Sequence, residues 1–170
     1  MKNESMGVEK KENPFFGSYS TPHHTVPFDA ICLSDYKPAI LEGIKRQDEE
    51  IKKITDTLNE PSFDNTIVAL ELSGSLLDKV CNVFFNLLSA ETSDEMEALA
   101  QEISPLLSEQ SNNIHLNEKL FERIRRVKNE SSLLNPEDSM LLDTTYEGFV
   151  RSGALLNSEE KKRFREITAR

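Results

Sequence analysis

Apolar residues recur three or four apart along most of this chain, the spacing of helices that each hide one face from water. The densest stretch is Asp64 to Leu88, DNTIVALELSGSLLDKVCNVFFNLL. There Ile67, Leu70, Leu77, Val80, Cys81, Phe84, Leu87 and Leu88 follow the helical period, while Leu72, Leu76, Val83 and Phe85 widen the apolar arc. The pattern predicts one long helix, capped by Asp64 or Asn65, that packs against several neighbours and organises the rest. Gly74, between Ser73 and Ser75, costs such a helix about 1 kcal/mol relative to alanine, which predicts a close crossing or a slight kink there.

The other helices follow from period and punctuation. A first helix is expected from a Ser34 cap, with Asp35 in its first turn, a tolerable early Pro38, and a stripe of Tyr36, Ile40, Ile44, Ile51, Ile54 and Leu58 ending at Asn59 to Pro61. Its far face pairs Glu42 with Arg46, Asp48 with Lys52 and Glu49 with Lys53. Thr92 and Glu95 fit a reciprocal cap for a third helix burying Met96, Leu99, Ala100 and Ile103, with a kink or break at Pro105 near Ser104. The polar run Ser108 to Asn113 then leads to a fourth helix along Ile114, Leu120 or Phe121, Ile124 and Val127. Arg123, Arg125, Arg126 and Lys128 fall on or beside its solvent face, and His115 lies at its boundary. Asn135 and Pro136 open a fifth helix, with Met140 or Leu141, Leu142, Tyr146, Phe149 and Val150 inward and Gly153 as its stop. Asn157 or Ser158 opens a sixth through Phe164 and Ile167 to Arg170. No stop signal precedes that end, so the chain is expected to finish in mid-helix, as if cut from something longer.

Ahead of the helices, Met1 to Glu12 is charged and aperiodic, the composition of a disordered tail. From Asn13, NPFFGSYSTPHHTVPFDAI places Pro14, Pro22 and Pro27 among aromatics, so the segment is expected to run extended and to dock Phe15, Phe16, Tyr19 and Phe28 on the helical body. His23 and His24 are adjacent in this segment, where neighbours point to opposite faces and no Cys or acidic ligand stands at a zinc spacing. They read as packing or hydrogen-bonding residues.

Composition narrows the picture. The chain has 170 residues, ordinary for one domain, with 20 Lys and Arg against 30 Asp and Glu, a net charge of -10. That charge repels phosphate backbones and anionic headgroups, so nucleic acid and membrane surfaces are excluded as expected partners. No apolar run reaches the roughly 18 residues of a membrane span, and no leader pattern opens the chain, which is read as cytoplasmic. Cys32 and Cys81 are read as reduced thiols. Six glycines, three tyrosines and no tryptophan disfavour a sandwich or barrel. The expected fold is all-α, an antiparallel bundle-like body of about six helices over residues 13–170, preceded by the Pro- and aromatic-rich segment.

Chemistry is scarce. The sequence contains no H-E-x-x-H, no Cys and His cluster at zinc spacing, no Walker-type loop and no G-x-S-x-G elbow. The basic group Arg123 to Lys128 could attract a carboxylate or phosphate but is diluted by Glu118, Glu122 and Glu130, so it reads as a solvated face. No residue is assigned a catalytic, cofactor-binding or metal-ligating role.

Six blocks in order nonetheless resemble one family: NPFFGSYSTPHHTVPFDAI from Asn13, DYKPAILEGIKRQDEEI from Asp35, PSFDNTIVALELSG from Pro61, AETSDEMEAL from Ala90, ISPLLSEQSNNIHLNEKLFERI from Ile103 and YEGFVRSGALL from Tyr146. They are similar to the N-terminal region of the thimet-oligopeptidase-like zinc metallopeptidases, most of all the bacterial peptidyl-dipeptidase branch. The resemblance implies a two-lobed helical enzyme in which this region walls a narrow channel admitting short peptides. It places zinc in the other lobe, on an H-E-x-x-H helix whose positions do not exist in this chain. By that reading the chain lacks the catalytic half, which is its missing partner, and is inactive alone. A helical interaction module, or the same lobe of an oligopeptidase cutting internally, are the alternatives. Helices belonging to a larger enzyme also imply an exposed apolar patch, with self-association or marginal stability of the isolated chain.

Overall fold

The computed structural model describes residues 12–130 and 134–168. The expected disordered tail, apart from Glu12, and the last two residues of the expected final helix lie outside the described residues. Among the described residues seven α-helices follow one another: α1 (Leu33–Asp56), α2 (Ala69–Glu71), α3 (Ser75–Ala90), α4 (Asp94–His115), α5 (Glu118–Glu130), α6 (Pro136–Arg151) and α7 (Ser158–Thr168). Helix α2 is a single turn that continues a π-helical turn at Phe63–Val68. There is no strand among the described residues, and the class is all-α as expected.

The core forms two clusters. One gathers Phe15, Tyr36, Ala39, Ile40, Leu77, Val80, Val83, Phe84 and Ile103, from the N-terminal segment, the first half of α1, α3 and α4. The other gathers Ile51, Ile54, Ile67, Leu120, Phe121, Ile124, Val127, Leu142, Phe149 and Ala154, from the second half of α1, the π turn, α5, α6 and the turn that follows α6. Helix α1 enters both clusters and touches α2, α3, α4 and α5, so it is the spine of the molecule.

That role had been expected of Asp64 to Leu88, and the expectation is corrected. The stretch is not one helix. Ser62, rather than Asp64 or Asn65, caps its start: the Ser62 hydroxyl accepts from the Asn65 N–H at 3.2 Å, and the Asn65 side chain accepts from the Ser62 N–H at 2.9 Å. At Gly74 the backbone turns left-handed, with φ 78°, and α3 begins anew. Gly74 is also a point of close approach as predicted, its Cβ position lying 2.2 Å from the Gln47 amide nitrogen of α1, and Gly43 is a second one that was not anticipated. A Cβ on Gly43 of α1 would lie 2.9 Å from the Leu77 Cα, so α1 and α3 approach where Gly43 has no side chain. Within the stretch, Val80 and Phe84 are fully buried, while Leu72 is 71% exposed.

Helix boundaries show smaller corrections. Cys32, not Ser34, is the N-cap of α1, and Asp35 reaches back to accept from the Cys32 N–H at 2.8 Å. Helix α1 stops at Asp56, which leaves Leu58 beyond it and fully exposed. Of the expected i to i+4 pairs in α1, Glu42–Arg46 closes at 2.8 Å, whereas Asp48 accepts from Gln110 instead of meeting Lys52. Ser93, one residue later than expected, caps α4. Helix α4 does not break at Pro105. Both Pro105 and Gln101, whose carbonyl the proline leaves without its helical donor, are exposed, so the interruption lies on the solvent side of the helix. The run Ser108 to Asn113 is therefore helix, and Gln110 and Asn112 within it are buried.

Later elements match. Asn135 accepts from the Asp138 N–H at 2.9 Å above Pro136, the chain leaves α6 through Gly153 at φ 91°, and Asn157 caps α7 by accepting from the Glu159 and Glu160 N–H groups. Lys161, only 9% exposed, ties α7 to Glu118 of α5 at 3.0 Å. The N-terminal segment docks through Phe15, which is buried with its ring 5.2 Å from Tyr36, and through Lys79. Its ammonium donates to the Phe15 and Gly17 carbonyls and sits 3.9 Å from the Tyr19 ring centroid. The segment is not wholly extended, since short 3-10 turns form at Pro14–Phe16 and Pro22–His24. Phe28 does not dock and is 57% exposed.

Candidate functional site

Between the two clusters runs a polar seam, fixed by the Gly74 turn. Glu50 of α1 accepts the Gly74 N–H at 2.8 Å, and the buried Gln110 of α4 donates to Gln47 at 3.1 Å and to Asp48 at 3.0 Å. A side chain on residue 74 would be strained by the φ of 78° and would displace the Gln47 side chain, whose amide nitrogen lies 2.2 Å from the Cβ position. The seam opens into a groove of about 390 Å3 lined from four directions, by Gln47 of α1, Leu70, Glu71, Ser73 and Asp78 of the α2–α3 junction, Ile114 and His115 of α4, and Thr144, Thr145, Gly148 and Phe149 of α6. Leu70, Ile114 and Phe149 give it an apolar floor. Partial desolvation at the groove wall holds the carboxyl of Asp78, an exposed residue, above its ordinary value. Burial first, and then the Asp78 charge, push the neighbouring Cys81 thiol up to about 11. Cys81 is thus a poor nucleophile near neutral pH.

A smaller hollow of about 300 Å3 lies between α1, α4 and the start of α5. Another, along residues 157–166, is lined by α7 and its cap alone, so no second element converges on it. Among the described residues, no three His, Cys, Asp or Glu side chains come together to hold a metal ion. The zinc implied by the resemblance does not fit the residues described.

His23 and His24 are exposed in a tight turn, both with positive φ, and His24 Nδ1 meets the Tyr19 carbonyl at 2.9 Å. The basic cluster is corrected at one position. Arg123 does not lie on the solvent face but is 8% exposed, donating to the Asn59 carbonyl at 3.1 Å and to Asn65 at 2.8 Å. The remaining members face outward onto carboxylates, Arg125 onto Glu122, Arg126 onto Glu60 and Glu130, and Lys128 onto Asp143. His115 packs its ring 4.9 Å from Phe149, at the end of α4. The groove itself was not anticipated. Its sole sequence signal was the Ser73–Gly74–Ser75 interruption, since the other walls come from residues far apart in the chain.

Fold and site together define a helical body with an amphipathic groove and, among its described residues, no group of three side chains that could hold a metal ion. The particular resemblance lies in sequence. The chain is 37% identical over 157 residues to dipeptidyl carboxypeptidase of Escherichia coli strain K12, covering 91% of this chain and 23% of that protein, and equally to its counterpart in Salmonella typhimurium. It is 25% identical over 160 residues to oligopeptidase A of Salmonella typhimurium, covering 93% of this chain and 23% of that one. No family model matches the chain. Similarity to these thimet-oligopeptidase-like peptidases, stronger toward dipeptidyl carboxypeptidase than toward oligopeptidase A, therefore extends along nearly the whole chain. The chain spans 23% of the length of those relatives.

Proposed function

We propose that this chain is the N-terminal, channel-walling lobe of a zinc-dependent peptidyl-dipeptidase of the cytoplasm, which releases dipeptides from the C-termini of short peptides when joined to its catalytic half. The observation that carries this reading is the 37% identity to dipeptidyl carboxypeptidase over 91% of the chain. Zinc, with the groups that activate water on it, belongs in this reading to the lobe outside the similarity, and the present residues supply a wall and substrate contacts. The isolated chain should then not hydrolyse peptides. Incubation with zinc and a blocked tripeptide tests this: no dipeptide release is expected, and robust chelator-sensitive release would overturn it. The matches to oligopeptidase A favour one second reading, the same lobe in an enzyme that cuts internally. Product analysis of the joined enzyme on a longer peptide separates the two, with C-terminal dipeptides expected and internal fragments supporting the alternative.

A further inference from the structure

The groove on the polar seam gathers polar groups from α1, the α2–α3 junction and α6. Glu71, Asp78, Thr144 and Thr145 line it, yet none makes a side-chain hydrogen bond or ion pair to a described residue. Gln47 commits its carbonyl to Gln110 and leaves its amide N–H groups without an acceptor among the described residues. Beneath them, Ser73 is 7% exposed and spends its hydroxyl proton on the Leu70 carbonyl at 2.7 Å, which leaves the oxygen lone pairs available. Convergent uncommitted polar groups above an apolar floor, where two packed units meet, are the usual features of a ligand site.

The groove also restricts what it can receive. Its two carboxylates repel anions and attract a cation, as does the net charge of -10. They form no metal-binding group with a third ligand. A volume of about 390 Å3 lies near the lower end of ligand pockets and holds a side chain, whereas a docked helix needs a run of anchoring positions over two turns. A long aliphatic stem ending in a charged head matches both the floor and the rim.

We propose that this groove binds the lysine or arginine side chain of a peptide, with the stem over Leu70, Ile114 and Phe149, the head against Asp78 and Glu71, and the Gln47 amide donating to a peptide carbonyl. The proposal rests on the peptidase reading for its choice of a peptide, but its test does not use activity. The 15N-labelled chain is titrated with acetyl-Ala-Lys-Ala-amide and, in parallel, with the norleucine and glutamate analogues. Saturable amide shifts at Ser73, Thr145 and Gly148 are expected for the lysine peptide, with binding at least about tenfold weaker for the other two. Asp78→Asn, at an exposed position and nearly isosteric, should weaken the lysine peptide about tenfold with the rest of the spectrum native, and Glu71→Gln should act in the same direction. Equal shifts with all three peptides, shifts confined to other elements, or unchanged affinity in both variants would overturn the proposal. Failure of the peptidase reading would leave this discrimination intact, and loss of the discrimination would leave the peptidase reading standing.

Discussion

At the scale of single residues, Phe84 shows what the helical period makes legible. Its spacing marked it as inward, and it is fully buried with its ring 5.1 Å from Tyr36. Phe84→Ala should cost about 3 to 5 kcal/mol, read by urea denaturation, because the site is closed on all sides. Gly43→Ala should cost about 1 to 3 kcal/mol, since its Cβ would meet the Leu77 backbone, which cannot swing aside as a side chain could. Cys81 gives a pH dependence. Its thiol is shifted from 9.0 to about 11 in the folded state, so between those values the unfolded chain holds fewer protons and stability falls as pH rises. The loss should be absent below pH 9 and smaller in Cys81→Ala, followed by thermal denaturation across that window. Arg123, Gln110 and Asn112 were not legible. Their polar character pointed outward, and they are buried because Asn59 and Asn65, Gln47 and Asp48, and Thr168 supply hydrogen bonds from more than fifty residues away. No local pattern encodes such partners.

At the scale of elements, helix existence was written in the periodicity and caps, whereas continuity was not. Two interruptions were weighed oppositely from what the fold does. Pro105 sits inside an unbroken α4 because the interruption lies on the solvent side of the helix. Gly74 divides the stretch that looked most continuous, because Glu50 and Gln47 of α1 hold a left-handed turn there. The two sites should respond differently to alanine. Pro105→Ala should stabilise the protein by about 1 to 3 kcal/mol by restoring a helical hydrogen bond. Gly74→Ala should destabilise it, through the positive φ and the displaced Gln47, and a gain in stability there would contradict the account of the seam.

At the scale of the whole molecule, the all-α class and the inward faces followed from pattern alone, but the division into two clusters along α1 did not, since it depends on which helices meet. The groove was hidden for the same reason. The likeness to peptidases was legible in the six blocks of sequence, whereas no zinc-binding, Walker-type or nucleophile-elbow motif in the sequence points to a reaction. Large apolar side chains stand exposed, Leu58, Leu72, Met140, Leu155 and Ile167 each by more than 60%, on separate parts of the chain. Concentration-dependent association is expected in sedimentation velocity and should weaken in Leu72→Ser; a monomer at all concentrations would contradict the view that this surface belongs inside a larger enzyme. The central claim is that this chain is a working wall of such an enzyme. It is tested most directly by a chimera in which the chain replaces its matched segment in Escherichia coli dipeptidyl carboxypeptidase, assayed for release of C-terminal dipeptides. Chelator-sensitive release is the predicted result, and a folded, zinc-loaded chimera without it would contradict the account.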